Sequence, residues 1–242
     1  MLEKRDIFAP LVGKLSKLAD IDRDDRDAIQ ALPFRLITAS PRELIIREGQ
    51  AYQECHLLLE GYVCRYKNVR DGGRQIVSFH MAGDIIDLER MLLEQADHSV
   101  LAVTQAALAA IPVEKVRGLA RQSASINNAL WRDVLIDASI FREWVLNVGR
   151  RDAKARIAHM LCEFEARHAI NGLDLTEQRN LPMTQEQIAD ATGLTTVHVN
   201  RTLLVLEQDG LVQRDRRGLI VTDWDGLRRA ADFDSAYLHQ AA

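Results

Sequence analysis

Thr196, Val197, Asn200 and Arg201 bring methyl groups, an amide and a guanidinium together at the spacing i, i+1, i+4, i+5. On a helix that spacing gathers them on one side. An arginine so placed can donate two hydrogen bonds to guanine O6 and N7. Asn200 can read adenine or grip a phosphate, and the two methyl-bearing side chains can meet thymine. Thr184, Gln185, Thr195 and His198 are close enough in sequence to join the same surface. Val199, Leu203 and Leu206 recur at i, i+4, i+7 and should face a core. An exposed polar face on an ordinary helical hairpin has similar residues, so the surrounding signals decide. Thr184 with Gln187 fits a capping box, Gly193 suits a left-handed helix end, and Thr195 can cap the helix that follows. Together they spell a helix-turn-helix whose second helix offers its first turns to a major groove. After Gly210, "LVQRDRRGLIV" reads as strand, turn, strand. Arg214, Arg216 and Arg217 make its tip basic, suited to run beside a phosphate backbone.

Other chemistry is sparser. Cys55-His56, Cys64 and His80 could meet as a haem or metal site, although lone cysteines and histidines in a β core are more often packing residues. A cupin-type metal enzyme needs two or three histidines and a carboxylate at close spacing, whereas His56, His80 and His98 are scattered. No zinc-ligand spacing, Gly-rich phosphate loop or nucleophile elbow appears. No catalytic residue, metal site or cofactor is therefore expected. A module that binds only protein partners would leave Arg201 and the basic tip unexplained.

The elements that must position these groups fall into two halves. The 242 residues suffice for one large domain or two small ones, and 47% apolar with 27% charged content is that of a soluble globular chain. No apolar run is long enough for a membrane span, and the first residues lack the features of a secretory signal. Cys55, Cys64 and Cys162 form no disulfide framework, which favours reduced thiols in a cytoplasm. The net charge of −4 announces no nucleic-acid partner, so any such function must rest on a local patch. After a helical lead-in over 1–32, short β-rich runs punctuated by glycine ("ELIIREG", "ECHLLLEGYVCRYK", "RQIVSFHMAGDII", "SVLAVTQAALAAIPV") suggest a barrel over 33–122. A long helix follows at 123–149. Its stripe of Leu130, Val134, Phe141, Val145 and Val148, interrupted by Asp137 and widened by Ile126, Ile136, Ile140 and Trp144, predicts cover on more than one side: either its own barrel on one and a second copy of the helix on the other, or an ordinary buried core helix. Gly149-Arg150-Arg151-Asp152 reads as a hinge, and 150–242 holds the helix-turn-helix and its wing.

This succession resembles the Crp/Fnr superfamily of bacterial transcription regulators. "GYVCRYKNVRDGGRQIVSFHMAGDII" and "MTQEQIADATGLTTVHVNRTLLVLEQDGLV" carry the resemblance, which runs from about Phe34 to Val221. It implies an α+β fold: a cupin-like jelly-roll barrel, a central dimerisation helix and a C-terminal winged helix-turn-helix. It further implies a cytoplasmic homodimer on an inverted repeat of double-stranded DNA, with RNA polymerase as partner if the protein activates. Many relatives have a glutamate where this sequence has Val197, while Arg201 keeps the family arginine. In the cyclic-nucleotide-binding relatives, a Gly-Glu pair and an Arg-Ser or Arg-Thr pair hold ribose and phosphate. Here Asp87-Leu88 and His98-Ser99 stand in the corresponding stretch, which places the expected effector pocket at Gly83, Asp84, Asp87, Leu88, His98 and Ser99. A neutral imidazole does not replace a guanidinium at a phosphate. The expected effector is therefore unidentified and not cyclic AMP. The cysteine cluster of the oxygen-sensing branch is missing, since no cysteine precedes Cys55.

Overall fold

The computed structural model describes residues 7–171, 181–215 and 218–239. Helices α1 (Ala9–Leu18) and α2 (Arg23–Gln30) form the lead-in. The strands β1 (Arg35–Ala39), β2 (Leu44–Ile46), β3 (Glu54–Glu60), β4 (Val63–Asn68), β5 (Arg74–His80), β6 (Ser99–Ala102) and β7 (Ala106–Pro112) follow, with a 3-10 turn at Leu88–Met91. They make a sheet of order β1-β7-β3 and another of order β2-β6-β4-β5. This non-sequential order is that of a jelly roll, as expected. Ile46, Leu58, Val63, Val100 and Leu108 fill the space inside the sheets. The strand β1 escapes the alternation argument because "RLITA" is largely exposed and only Ala39 is buried.

The helices α3 (Val113–Gln122) and α4 (Ala124–Arg150) come next, then α5 (Ala153–Ile170), α6 (Gln185–Thr192), α7 (Thr196–Gln208), β8 (Val212–Asp215), β9 (Gly218–Val221) and α8 (Trp224–Ala231). Asp152 ends the expected hinge by accepting a hydrogen bond from the Ala155 N–H at 2.8 Å, so the chain restarts as α5 at once.

Two compact units emerge. The first gathers the described residues of Met1–Arg65 and Phe79–Ala138. Here α1, α2, α3 and the start of α4 bury Phe8, Leu15, Ile29, Val116 and Ile126 with Leu57 of β3. The second takes Tyr66–Ser78 and Ser139–His239, so the tip of the β4–β5 hairpin belongs with it rather than with 33–122. In this unit Trp144 Nε1 and the Tyr237 hydroxyl both donate to the buried carboxylate of Glu163, at 2.9 and 2.8 Å. Burial raises the Glu163 pKa, against the pull of Arg167 and of these two hydrogen bonds.

Leu130, expected on an inter-chain seam, is instead buried in the first unit's own core. Asp137 is likewise withdrawn, because it pairs with the buried guanidinium of Arg65. The apolar face that α4 leaves uncovered carries Trp131, Leu135 and Val145, with exposures of 49%, 60% and 74%. Val134, Phe141 and Val148 are half-buried beside it.

Candidate nucleic-acid interface

The turn from α6 to α7 follows from its caps. Thr184 Oγ1 accepts from the Gln187 N–H at 3.2 Å while Gln187 Oε1 accepts from the Thr184 N–H at 2.8 Å. This reciprocal pair fixes where α6 begins. Gly193 ends it at φ +65°, in the left-handed region that a Cβ disfavours. Thr195 then caps α7 by accepting from the His198 N–H at 3.2 Å. Val199, Leu203 and Leu206 are buried beneath α7. Thr196, Val197, His198, Asn200 and Arg201 are all exposed, with Thr184 and Gln185 exposed at the start of α6. The sequence-predicted reading residues of α7 are thus exposed together on one helix. Thr184 and Thr195 are occupied as caps, so their hydroxyls set backbone position before they meet any ligand.

Arg214 has a different position from the one expected. Its Nη1 donates to Asn200 Oδ1 at 2.8 Å, and its Nη2 donates to Glu207 Oε2 at 2.9 Å. It is therefore drawn back from the tip of the wing onto α7, where it orients Asn200. The pattern missed this because Asn200 and Glu207 lie seven residues, about two turns, apart on α7, and Arg214 reaches both from β8. Arg216 and Arg217, the other basic residues of the expected wing, lie outside the described residues. Arg74 and Gln75, at the hairpin tip in the same unit, hold the other side of α6. Arg74 Nη2 lies 2.6 Å from Asp190 Oδ2, and Gln75 Nε2 donates to the Ala191 carbonyl at 3.1 Å. Nothing in the local sequence of the hairpin signals that contact.

In the first unit, most of the expected effector pocket is turned to internal use. Asp84 accepts from Lys14 Nζ at 2.8 Å and from the Met81 N–H at 3.1 Å. Burial alone would lower the Lys14 pKa, but Asp133 and Asp84 outweigh it and hold the ammonium above its usual range. Asp87 takes both the backbone N–H and Nδ1 of His56, each at 2.6 Å. Leu88 is a core residue. Ser99 Oγ accepts from the Glu48 N–H at 3.0 Å, and Gly83 turns the chain at φ +94°. These contacts brace the barrel. His98 alone of the set keeps a ring nitrogen, Nε2, without a hydrogen-bond partner among the described residues. Sequence reading also missed two buried guanidiniums. Arg65 donates to the Ile86 carbonyl from Nε and Nη2 at 3.0 and 2.8 Å, and Arg90 Nη2 donates to the Tyr52 carbonyl at 2.6 Å.

The possible haem or metal group of Cys55, His56, Cys64 and His80 does not form. Among the described residues the grouping with ligand atoms close together is a different one, Glu89, Asp97 and His98. Burial raises the Cys55 thiol well above its usual pKa, with Asp87 and Glu89 adding to the effect, and lowers His80 to about 4.

Residues 155–230 match the Crp-like helix-turn-helix domain family, and residues 36–123 match the cyclic nucleotide-binding domain family. The chain is 28% identical over 199 residues to the nitrogen fixation regulation protein FixK of Rhizobium meliloti, covering 81% of this chain and 87% of that protein. It is 27% identical over 199 residues to the transcriptional activator protein FnrL of Cereibacter sphaeroides, covering 80% and 79%. The solved structure of FixK2 from Bradyrhizobium japonicum superposes with a TM-score of 0.73 at 24% identity, over 82% of this chain and 98% of that one, which supports the fold.

Proposed function

Taking the chain as a DNA-binding transcription regulator of the Crp/Fnr type with a sensor domain, we propose that it acts as a cytoplasmic homodimer on an inverted repeat. The observation that carries this reading is the division of α7. Its buried Val199, Leu203 and Leu206 lock the helix in place, and its exposed Thr196, Val197, Asn200 and Arg201 offer methyl, amide and guanidinium groups suited to base edges. The uncovered apolar face of α4 supports pairing of two copies. Val197 cannot accept from cytosine N4, so the half-site differs from that of relatives with a glutamate there. Half-site centres lie about one helical turn apart. If the protein activates, RNA polymerase is its further partner.

The effector of the barrel is not a cyclic nucleotide. Asp84 and Asp87 bring buried negative charge to the region that would take a phosphate, and Leu88 offers no acceptor to a ribose hydroxyl. Selection of bound duplexes from a random pool tests the first half of the reading: it should return a two-fold-symmetric site, and a pool without enrichment refutes it. Calorimetric titration with cyclic AMP and cyclic GMP tests the second. Saturable micromolar binding, lost in His98→Ala or Arg90→Gln, would overturn it.

A further inference from the structure

Glu89 lies in the 3-10 turn Leu88–Met91, and Asp97 with His98 immediately precedes β6, so side chains from both ends of one connecting segment converge. Their ligand atoms all lie within 4.8 Å of one another. His98 Nδ1 is 2.7 Å from Asp97 Oδ1, a hydrogen bond that fixes the tautomer and leaves the lone pair on Nε2. Nε2 faces Glu89 Oε1 at 3.6 Å, beyond ordinary hydrogen-bond length. Neither atom has a hydrogen-bond partner among the described residues, although both are sequestered from solvent and His98 is only 7% exposed. Two buried polar atoms left facing each other in this way cost free energy unless something joins them.

A cation can join them. Ligand bonds of about 2.0–2.2 Å to nitrogen and oxygen in tetrahedral geometry put the two donor atoms about 3.4 Å apart. The observed separation is close to that edge. We propose that Glu89, Asp97 and His98 form a binding site for a divalent transition-metal cation. One imidazole with carboxylate oxygens suits the borderline ions zinc and iron(II) and the harder manganese(II). His98 and Glu89 are the primary ligands. Asp97, whose side chain is 74% exposed, either orients the imidazole through Nδ1 or swings to complete the set. Water fills the remaining positions.

The surroundings accommodate the charge. Glu89 presents Oε1 to His98 and Oε2 to Arg65 Nη2 at 3.8 Å, so it can bridge a metal and the guanidinium. Arg65 is already neutralised by Asp137 of α4, and Asp87 adds negative charge nearby. Occupancy therefore reaches α4 through Glu89, Arg65 and Asp137 within the first unit. Spacing in the sequence conceals the site, because the ligands come from the two ends of a connecting segment and match no metal-binding motif.

The test is titration of chelator-treated full-length protein with manganese(II), followed by electron paramagnetic resonance of the free ion, and with zinc(II) by calorimetry. One ion per chain at micromolar affinity is expected, with an upward shift in melting temperature. His98→Ala and Glu89→Gln should each weaken binding at least tenfold, and Asp97→Asn less. Three buried cysteines offer zinc another target on unfolding, so a Cys-to-Ser control at Cys55, Cys64 and Cys162 must keep the affinity. No binding at millimolar ion, or binding unchanged in both folded ligand variants, overturns the proposal. The outcome does not depend on DNA recognition, so it stands or falls separately from the regulator reading.

Discussion

Replacing Val145 with glutamate tests the proposed pairing of two α4 helices at its most exposed apolar position. Val145 is 74% exposed in the single chain, so the substitution should leave the folded monomer within about 0.5 kcal/mol of wild type. Full burial of a valine or leucine contributes about 1.5–3 kcal/mol. The exposed three-quarters of Val145 is therefore worth about 1–2 kcal/mol per copy, or about 2–4 kcal/mol across a symmetric pair. Removing that alone weakens association roughly 30-fold to 1000-fold. Taking a carboxylate out of water at the seam adds several kcal/mol per ion, which leaves no dimer at micromolar concentration. Sedimentation equilibrium measures the association and a thermal melt checks the fold. A dimer with unchanged affinity and an unchanged melt would place the interface elsewhere. Leu135→Glu and Phe141→Glu serve as companion variants.

Arg201→Ala should cost about 1–3 kcal/mol per half-site on the selected duplex and little on random duplex; a preserved ratio of the two affinities refutes base reading by Arg201. Arg214→Met frees Asn200 from its 2.8 Å partner, so repeat selection should show relaxed preference at one position in each half-site, and an unaltered site would contradict the positioning role. His80 is held near pKa 4 by burial, with Arg65 adding to the effect, whereas the unfolded chain titrates it near 6.5. The unfolded state thus binds more protons between those values, and stability present above pH 6.5 is lost as pH falls toward 4, by roughly 3 kcal/mol. Urea unfolding of His80→Gln should lack that part of the acid sensitivity, and identical pH slopes for both proteins would exclude it.

The reading head was the most legible part of the chain because its signals are local. Caps act over three residues, Gly193 over one, and the buried face of α7 over seven, so Thr184, Thr195, Val199, Leu203 and Leu206 could be placed without knowledge of the rest. The barrel strands were legible for a similar reason, apart from β1, whose exposed side chains carry little alternation. What the sequence concealed depends on contacts between distant segments. Leu130 and Val145 occur on the same apolar pattern, yet one is covered by its own chain and the other is not; periodicity reports that a side is apolar, never what covers it. Asp137 looked like a break in a seam and is the partner of Arg65, a residue seventy-two positions earlier. Asp84, Asp87 and Arg214 likewise have the residue types of a ligand site and are engaged by Lys14, His56 and Glu207.

That engagement bears on how the chain holds DNA at all. From Arg150 onward, 12 Lys/Arg stand against 14 Asp/Glu, so no broad positive field draws the domain to a duplex. The one wing arginine that is described shares its charge with Glu207. A single reading head then has few phosphate contacts and binds weakly. Linking two heads turns the second contact into an intramolecular step, which raises overall affinity by about 10²–10⁴ without any new contact. In the proposed dimer the face of α4 is as necessary to recognition as the face of α7, although it supplies no base contact. The two kinds of damage differ in what they leave behind. Arg201→Ala leaves a dimer that binds all sequences alike. Val145→Glu leaves a monomer whose heads keep their base preference, so raising its concentration should restore occupancy of the selected site, with each half-site filling independently. If the monomer instead loses its preference between the selected site and random duplex, α4 contributes to base reading itself, and pairing and reading are not separate functions of the two faces.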